Sequence, residues 1–263
     1  MLGVVTATVN RERAEPCLAS WRQHASGDYP LVVVDNGGEQ PYLGPVAAFR
    51  IGVDQMLSKH SDIDIIACFH DDLVILEDDW DTEVRGCFAE HIDVGLASFA
   101  GHLSLGDDDL YTRAGGYHPD HLGRCGYVGN LVGETTVRTA QPIVVPRSFS
   151  LIARRMFWAG FWEAEARTRA TRRKTFPRPW AFIDDLGIVD HFYDGALGCW
   201  ARRGGWQVWY LPVRCRHLGG QTTDDPEYQR WAEQEIEGGD RGFWEAAHRI
   251  GYETFKDELP LRL

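Results

Sequence analysis

The stretch Ile65-Ile66-Ala67-Cys68-Phe69-His70-Asp71-Asp72-Leu73-Val74-Ile75 decides how the chain is read. Residues 65–69 are an apolar run of strand length that stops at His-Asp-Asp, after which apolar residues resume. A buried strand does not tolerate bare carboxylates, so Asp71 and Asp72 belong where the strand leaves its sheet. In an open α/β sheet that place is the ligand crevice. Two hard oxygen donors there suit Mg2+ or Mn2+ bridging a diphosphate; a solvated acidic turn is the plain structural alternative.

Outward from this stretch, helix and strand patterns alternate. Residues 2–9 read as a first strand, ending at Asn10-Arg11-Glu12-Arg13, and Pro16 marks the turn into a helix that sends Cys17, Leu18 and Trp21 to the core. Leu31-Val32-Val33-Val34 is apolar throughout, as in a strand buried on both faces of a parallel sheet, and it stops at Asp35-Asn36-Gly37-Gly38. An acid there can hold a ribose hydroxyl or a base edge. No GxGxxG follows the first strand, which counts against a dinucleotide fold. Val46, Phe49, Val53 and Leu57 recur at helical spacing, a further helix runs from Asp79-Trp80 past Val84 and Phe88, and Val94–Phe99 gives a fourth strand. This β-α-β-α-β-α-β order predicts an α/β fold with a mostly parallel central sheet flanked by helices.

Regularity ends at Gly101. The segment to Thr139 is glycine-rich, the kind of excursion that covers or shapes a site. Its His102, His118, His121 and Cys125 match no standard zinc spacing and are expected to be solvated loop residues. A short strand follows at Pro142–Pro146, then a strand and a helix over Ser150–Trp162. Arg167, Arg169, Arg172, Arg173, Lys174 and Arg178 form a basic run without an acid, either an anion-facing patch or a solvated segment. A helix from Gly195 to Arg203, strands at Trp206–Leu211 and Val213–His217, and an acidic helical tail beyond Asp224 complete the chain. Trp158, Trp162, Trp180, Trp200, Trp206 and Trp209 concentrate in this second half, mostly as core.

The 263 residues carry a net charge of −12, which argues against broad non-specific binding to nucleic acid or anionic membrane but leaves room for a local basic site. The six cysteines form no CxxC pair and lie in apolar segments, as reduced core thiols of a cytoplasmic protein do. Neither a signal peptide nor an integral membrane segment is expected, since no basic region precedes Leu2-Gly3-Val4-Val5 and no apolar stretch reaches ~18 residues.

Taken in order, Thr6-Ala7-Thr8-Val9-Asn10-Arg11, Val33-Val34-Asp35-Asn36-Gly37, Phe69-His70-Asp71-Asp72-Leu73, His191-Phe192-Tyr193-Asp194 and Arg216-His217-Leu218-Gly219-Gly220 resemble the motifs of family-2 glycosyltransferases of the GT-A fold. The likeness spans about residues 2–220. It implies one GT-A domain over residues 1–263: a nucleotide-sugar-binding half (1–100), an acceptor-binding half (101–220) and a helical tail (221–263). Thr6, Thr8, Arg11, Asp35, Arg50 and Asp71 would then contact the nucleotide sugar, and Asp72 and His217 would hold Mn2+ or Mg2+. His70 would replace the usual first acid of the metal motif. Asp194 would be the general base that takes the acceptor's proton.

Two positions depart from the family pattern. Arg50 stands where asparagine is common, and Tyr193-Asp194 replaces a Glu-Asp pair with no second acid in Gly195-Ala196-Leu197-Gly198. The implied reaction moves a sugar from a nucleoside diphosphate sugar to an acceptor hydroxyl, with inversion. The acceptor would be a glycan, a small molecule or a modified nucleic-acid base; in the last case Arg172, Arg173 and Lys174 of the Arg167–Arg178 patch would hold DNA phosphates. A nucleotidyltransferase and a non-catalytic sugar-nucleotide-binding protein are the competing classes.

Overall fold

Strand β3 (Ile65–His70) lies in the interior of the central sheet, buried along Ile65–Phe69 and paired at both edges. The computed structural model describes residues 1–36, 45–105, 127–131, 134–135, 137–172 and 193–219, together with positions 226, 229, 230, 233, 261 and 262. Around β3 the elements run β1 (Leu2–Thr8), α1 (Arg11–Gln23), β2 (Leu31–Asp35), α2 (Pro45–Lys59), then β4 (Leu73–Ile75), α3 (Trp80–Glu90), β5 (Val94–Ser98), β6 (Ala100–His102) and β7 (Ser104–Leu105). The second half contributes β8 (Tyr127–Leu131), β9 (Glu134–Thr135), β10 (Gln141–Ile143), β11 (Val145–Pro146), β12 (Ser150–Arg154), α4 (Arg155–Arg172), α5 (Tyr193–Arg203), β13 (Gln207–Tyr210), β14 (Cys215–His217) and β15 (Leu261–Arg262).

The fold is mixed α/β with a seven-stranded central sheet, ordered β10-β13-β5-β12-β3-β1-β2. Pairing is parallel for β2–β1, β1–β3 and β5–β13 and antiparallel around β12 and between β10 and β13. Five strands therefore point one way, and their C-terminal ends, Thr8, Asp35, His70, Ser98 and Tyr210, share one rim. The uniform alternation of the first hundred residues does not reveal that β12 lies between β3 and β5. Its side chains Ser150 to Ala153 are fully buried, so the strand fits a sheet centre as well as any. Its exit is fixed by Arg154, whose guanidinium donates to the carbonyls of Phe88 (2.6 Å), His91 (3.1 Å) and Val94 (2.8 Å), the first two at the C-terminal end of α3.

Alternation along the strands divides the core in two. Val5, Ile66, Cys68 and Leu96 face α2, α4 and α5, where Phe49, Met56, Phe157, Trp158 and Leu197 meet them. Leu2, Val4, Ala67 and Phe69 face α1 and α3 and pack on Trp21, Trp80 and Phe88. Each fully buried aromatic or large aliphatic side chain contributes about 1.5–3 kcal/mol, so this three-layer arrangement supplies the rigid frame on which the rim is built. Trp158, Trp162, Trp200, Trp206 and Trp209 pack against these cores, and Trp180 lies outside the described residues.

Helix α1 starts earlier than Pro16 suggests. Asn10 caps it, its side chain accepting from the Arg13 amide at 3.1 Å, and the Thr8 hydroxyl oxygen accepts the Asn10 amide at 3.0 Å. The cap supplies the start signal and Pro16 lies within the helix. His102 also differs from expectation: it is buried at 1 % exposure, and desolvation, with Arg147 nearby, depresses its imidazole to about 3. His118, His121 and Cys125 lie outside the described residues, and the other cysteines are buried free thiols. Among the described residues no helix is long and apolar enough to cross a membrane.

Candidate metal centre

At the rim, β3 delivers His70 and the chain turns through Asp71 and Asp72 into β4. Two neighbours hold that short strand. Helix α1 donates the Trp21 indole N–H to the Leu73 carbonyl (2.7 Å) and offers the Ser20 hydroxyl oxygen to the Ile75 amide (3.1 Å). On the other side β14 pairs antiparallel with β4, placing His217 opposite Leu73, and the Leu218 amide donates to the Asp72 carbonyl at 2.9 Å. A strand pairing thus brings His217 and Leu218 against the His-Asp-Asp turn.

The result is a cluster of His70, Asp72 and His217 whose possible ligand atoms all lie within 4.8 Å of one another. His217 Nε2 is 3.0 Å from Asp72 Oδ1, and His70 Nδ1 is 3.9 Å from the same oxygen. The closer pair is not aligned as a hydrogen bond: both atoms are buried and neither has a hydrogen-bond partner among the described residues. Buried polar atoms left in this state are costly, and a cation between them removes the cost. The donor set therefore fits a divalent metal ion.

Neighbouring groups hold both imidazoles. The Tyr193 hydroxyl lies 2.7 Å from His70 Nε2, and the His217 ring stacks on Phe149 at 4.7 Å and 18°. Burial depresses the His70 imidazole to about 4, against the opposing pull of Asp72, so it is neutral near pH 7 as a ligand must be. Burial also pushes the Asp72 carboxyl up, but His217 and His70 together outweigh it and leave the group below its usual value. Asp71, equally buried, shows the opposite balance. Desolvation raises its carboxyl beyond what Thr8 and Arg13 recover, and it is not a member of the cluster.

The remaining sequence-derived positions that the structure describes lie outside this three-residue cluster. Thr8 and Asp35 end adjacent strands, opposite one another in the register, and Arg11 clamps Asp35 with Nε–Oδ1 and Nη2–Oδ2 distances of 2.6 and 3.1 Å. That hydrogen-bonded pair raises the Arg11 value and lowers that of Asp35, with both side chains exposed. Thr6 is fully buried with its hydroxyl unpartnered among the described residues. Arg50 is exposed on α2 with its guanidinium carbon 6.0 Å from the centre of the Trp162 ring. Asp194 is buried in the first turn of α5, and its Oδ1 accepts the Gly195 amide at 2.8 Å. Arg172 ends α4, while Arg173, Lys174 and Arg178 lie outside the described residues.

Sequence reasoning did not assign His70 as a ligand, although its position beside two acids at a strand end was the signal. It also passed over Arg147 and Phe149. Arg147 is buried and its charge bears on both His70 and His102. Phe149 precedes β12, and its carbonyl accepts the His70 amide at 3.0 Å. Neither residue stands in a recognisable motif, because only the insertion of β12 beside β3 brings them to the rim.

No protein-family model and no curated protein matches this sequence. Among solved structures, the crystal structure of A197 from STIV aligns over 82 % of this chain and 85 % of its own length, at 13 % identity and a TM-score of 0.43. A likeness that distant assigns neither fold family nor activity.

Proposed function

We propose that this protein is a metal-dependent glycosyltransferase of the GT-A type that moves a sugar from a nucleoside diphosphate sugar to an acceptor hydroxyl, with inversion. The convergence of His70, Asp72 and His217 on one partly buried point at the C-terminal rim of the sheet carries this reading. The ordered motifs support it as well, because the two that supply the cluster are distant in sequence and meet where β14 pairs with β4.

In this reading His70, Asp72 and His217 hold Mn2+ or Mg2+. When bound, the ion neutralises negative charge on the diphosphate leaving group. Thr6, Thr8, Arg11, Asp35 and Asp71 serve the nucleotide sugar, and Arg50 is a further donor contact. Asp194 takes the proton of the attacking hydroxyl. The donor half spans residues 1–100, the acceptor half 101–220 and the tail 221–263 of one domain.

Arg172, Arg173 and Lys174 enter as acceptor or phosphate contacts. If the acceptor is a base in DNA, binding falls steeply with salt, and neutralising these three residues flattens that dependence. A screen of nucleoside diphosphate sugars by thermal shift, with and without Mn2+, tests the main claim. Stabilisation by one donor only with cation is the expected result. A donor response indifferent to cation and to Asp72→Ala refutes it, and release of pyrophosphate in place of nucleoside diphosphate would mark a nucleotidyltransferase.

A further inference from the structure

Helix α4 climbs the sheet from its far end to the rim. It starts beside the N-terminal end of β3, where the Arg155 amide donates to the Asp64 carbonyl at 2.7 Å. Trp158 lies level with Ile66, its indole N–H reaching that carbonyl at 3.4 Å. One turn on, the Trp162 ring is 6.0 Å from the Arg50 guanidinium carbon, and Phe49, next to Arg50 on α2, lies 6.2 Å from the His70 ring. Trp162 has therefore come to the height of the rim, and α4 continues to Arg172. At 1.5 Å per residue that carries the helix ~15 Å past Trp162. The chain is next described at Tyr193, whose hydroxyl is 2.7 Å from His70 Nε2.

Charge changes sign along this helix. Glu163 and Glu165 are followed by a stretch, residues 166–183, with six Arg and Lys and no acid, in a chain whose net charge is −12. Three of the six, Arg167, Arg169 and Arg172, belong to the end of α4. Cations in a last turn offset the helix dipole, which accounts for Arg169 and Arg172 without any ligand. It does not account for the exclusion of acids from the residues that follow. A chain this acidic repels polyanions over most of its surface, so a cationic segment here confines one to the rim.

The composition of the segment selects the kind of polyanion. A membrane contact needs large apolar side chains beside the cations, and between Glu163 and Arg172 the apolar residues are alanines only. Arginine interspersed with Thr168 and Thr171 is instead the chemistry that holds nucleic-acid phosphates, by charge and by hydroxyl donors.

We propose that the acceptor is a nucleic acid, held through its phosphates by the end of α4, and that the reacting hydroxyl belongs to a nucleotide unit presented at the rim. The acceptor oxygen bonds to the anomeric carbon as that carbon's bond to the diphosphate breaks. The hydroxyl proton passes to Asp194, and nucleoside diphosphate leaves. This inference rests on the glycosyltransferase reading and names the acceptor that the reading left open.

The test titrates the full chain against a fluorescent single-stranded oligonucleotide of about 20 residues, as DNA and as RNA, between about 50 and 200 mM KCl. Vesicles of phosphatidylcholine with phosphatidylserine are titrated alongside. Wild type is expected to bind the oligonucleotide and to lose affinity steeply with salt. The triple variant Arg167→Gln, Arg169→Gln, Arg172→Gln should flatten the slope of log K against log salt by about 2; if it does not fold, Arg172→Gln alone should flatten it by about 0.7. Absence of oligonucleotide binding, a wild-type slope near zero, an unchanged slope in a folded variant, or binding to vesicles in place of oligonucleotide each overturns the proposal. A donor response with Mn2+ but no oligonucleotide binding removes this acceptor and leaves the transferase. Oligonucleotide binding without any donor response removes the transferase and leaves a nucleic-acid surface.

Discussion

The Tyr193 hydroxyl lies 2.7 Å from His70 Nε2, tying the first turn of α5 to the end of β3. The contact joins the ring of a candidate metal ligand to the residue that immediately precedes the candidate base, Asp194. Position of the ligand and position of the base are therefore mechanically linked. Tyr193→Phe keeps the buried ring and removes only the hydroxyl, so cation affinity should fall about 10–100-fold with folding stability little changed. Calorimetric titration with Mn2+ checks this, and an unaltered affinity would show that Tyr193 only packs.

Asp194→Asn should leave Mn2+ affinity intact while cutting turnover by ~10²–10⁴-fold, the usual value of general-base assistance. Nucleoside diphosphate release under saturating donor and acceptor is the measurement. A loss smaller than about tenfold in a folded variant would remove Asp194 from the base role.

Cation binding should stabilise the fold. At a free concentration of a hundred times Kd the gain is about 2.7 kcal/mol, seen as a rise in Tm that chelator reverses. Asp72→Ala and His217→Ala should each abolish the rise, and a rise that survives both would place the ion elsewhere.

Asp81 tests the frame and not the site. Fully buried, it accepts the Ser26 amide (2.7 Å) and hydroxyl (3.0 Å) and pairs with Arg85. Burial raises its carboxyl, but the Ser26 bonds and Arg85 outweigh that and leave it below the usual range. A folded value below the unfolded one means that this group's stabilisation is complete above the unfolded carboxylate value of ~3.9 and disappears as pH falls through the lowered folded value. Asp81→Ala should cost about 3 kcal/mol in urea unfolding at neutral pH, and the gap from wild type should close in acid. A gap that persists at low pH would contradict the electrostatic account.

Gly198 has no room for a side chain. A Cβ there would lie 2.5 Å from the Val144 backbone oxygen, which cannot rotate away, so α5 would have to lift off β11 and its neighbour strand. Gly198→Ala should destabilise by about 1–3 kcal/mol and weaken Mn2+ binding as well, because α5 carries Tyr193. Denaturation and titration of the same variant check both effects; full stability together with full affinity would show that α5 can shift without cost.

Much of the frame was legible in the sequence because it is encoded locally. Five successive apolar residues ending in His-Asp-Asp specify a buried strand and its rim, and the spacing of Val46, Phe49 and Val53 specifies a helix, whatever lies elsewhere in the chain. Asp71 and Asp72 were legible in the same way, as carboxylates a core would reject at a strand's exit, whereas His217 entered as a ligand only through the resemblance of the ordered motifs. What only the tertiary structure decided are the pairings between distant segments: β12 entering between β3 and β5, β14 closing on β4, and α5 placing Tyr193 against His70. Strand partners and facing rings are chosen by the whole sheet's twist, burial and register, and no local pattern of residues encodes that choice.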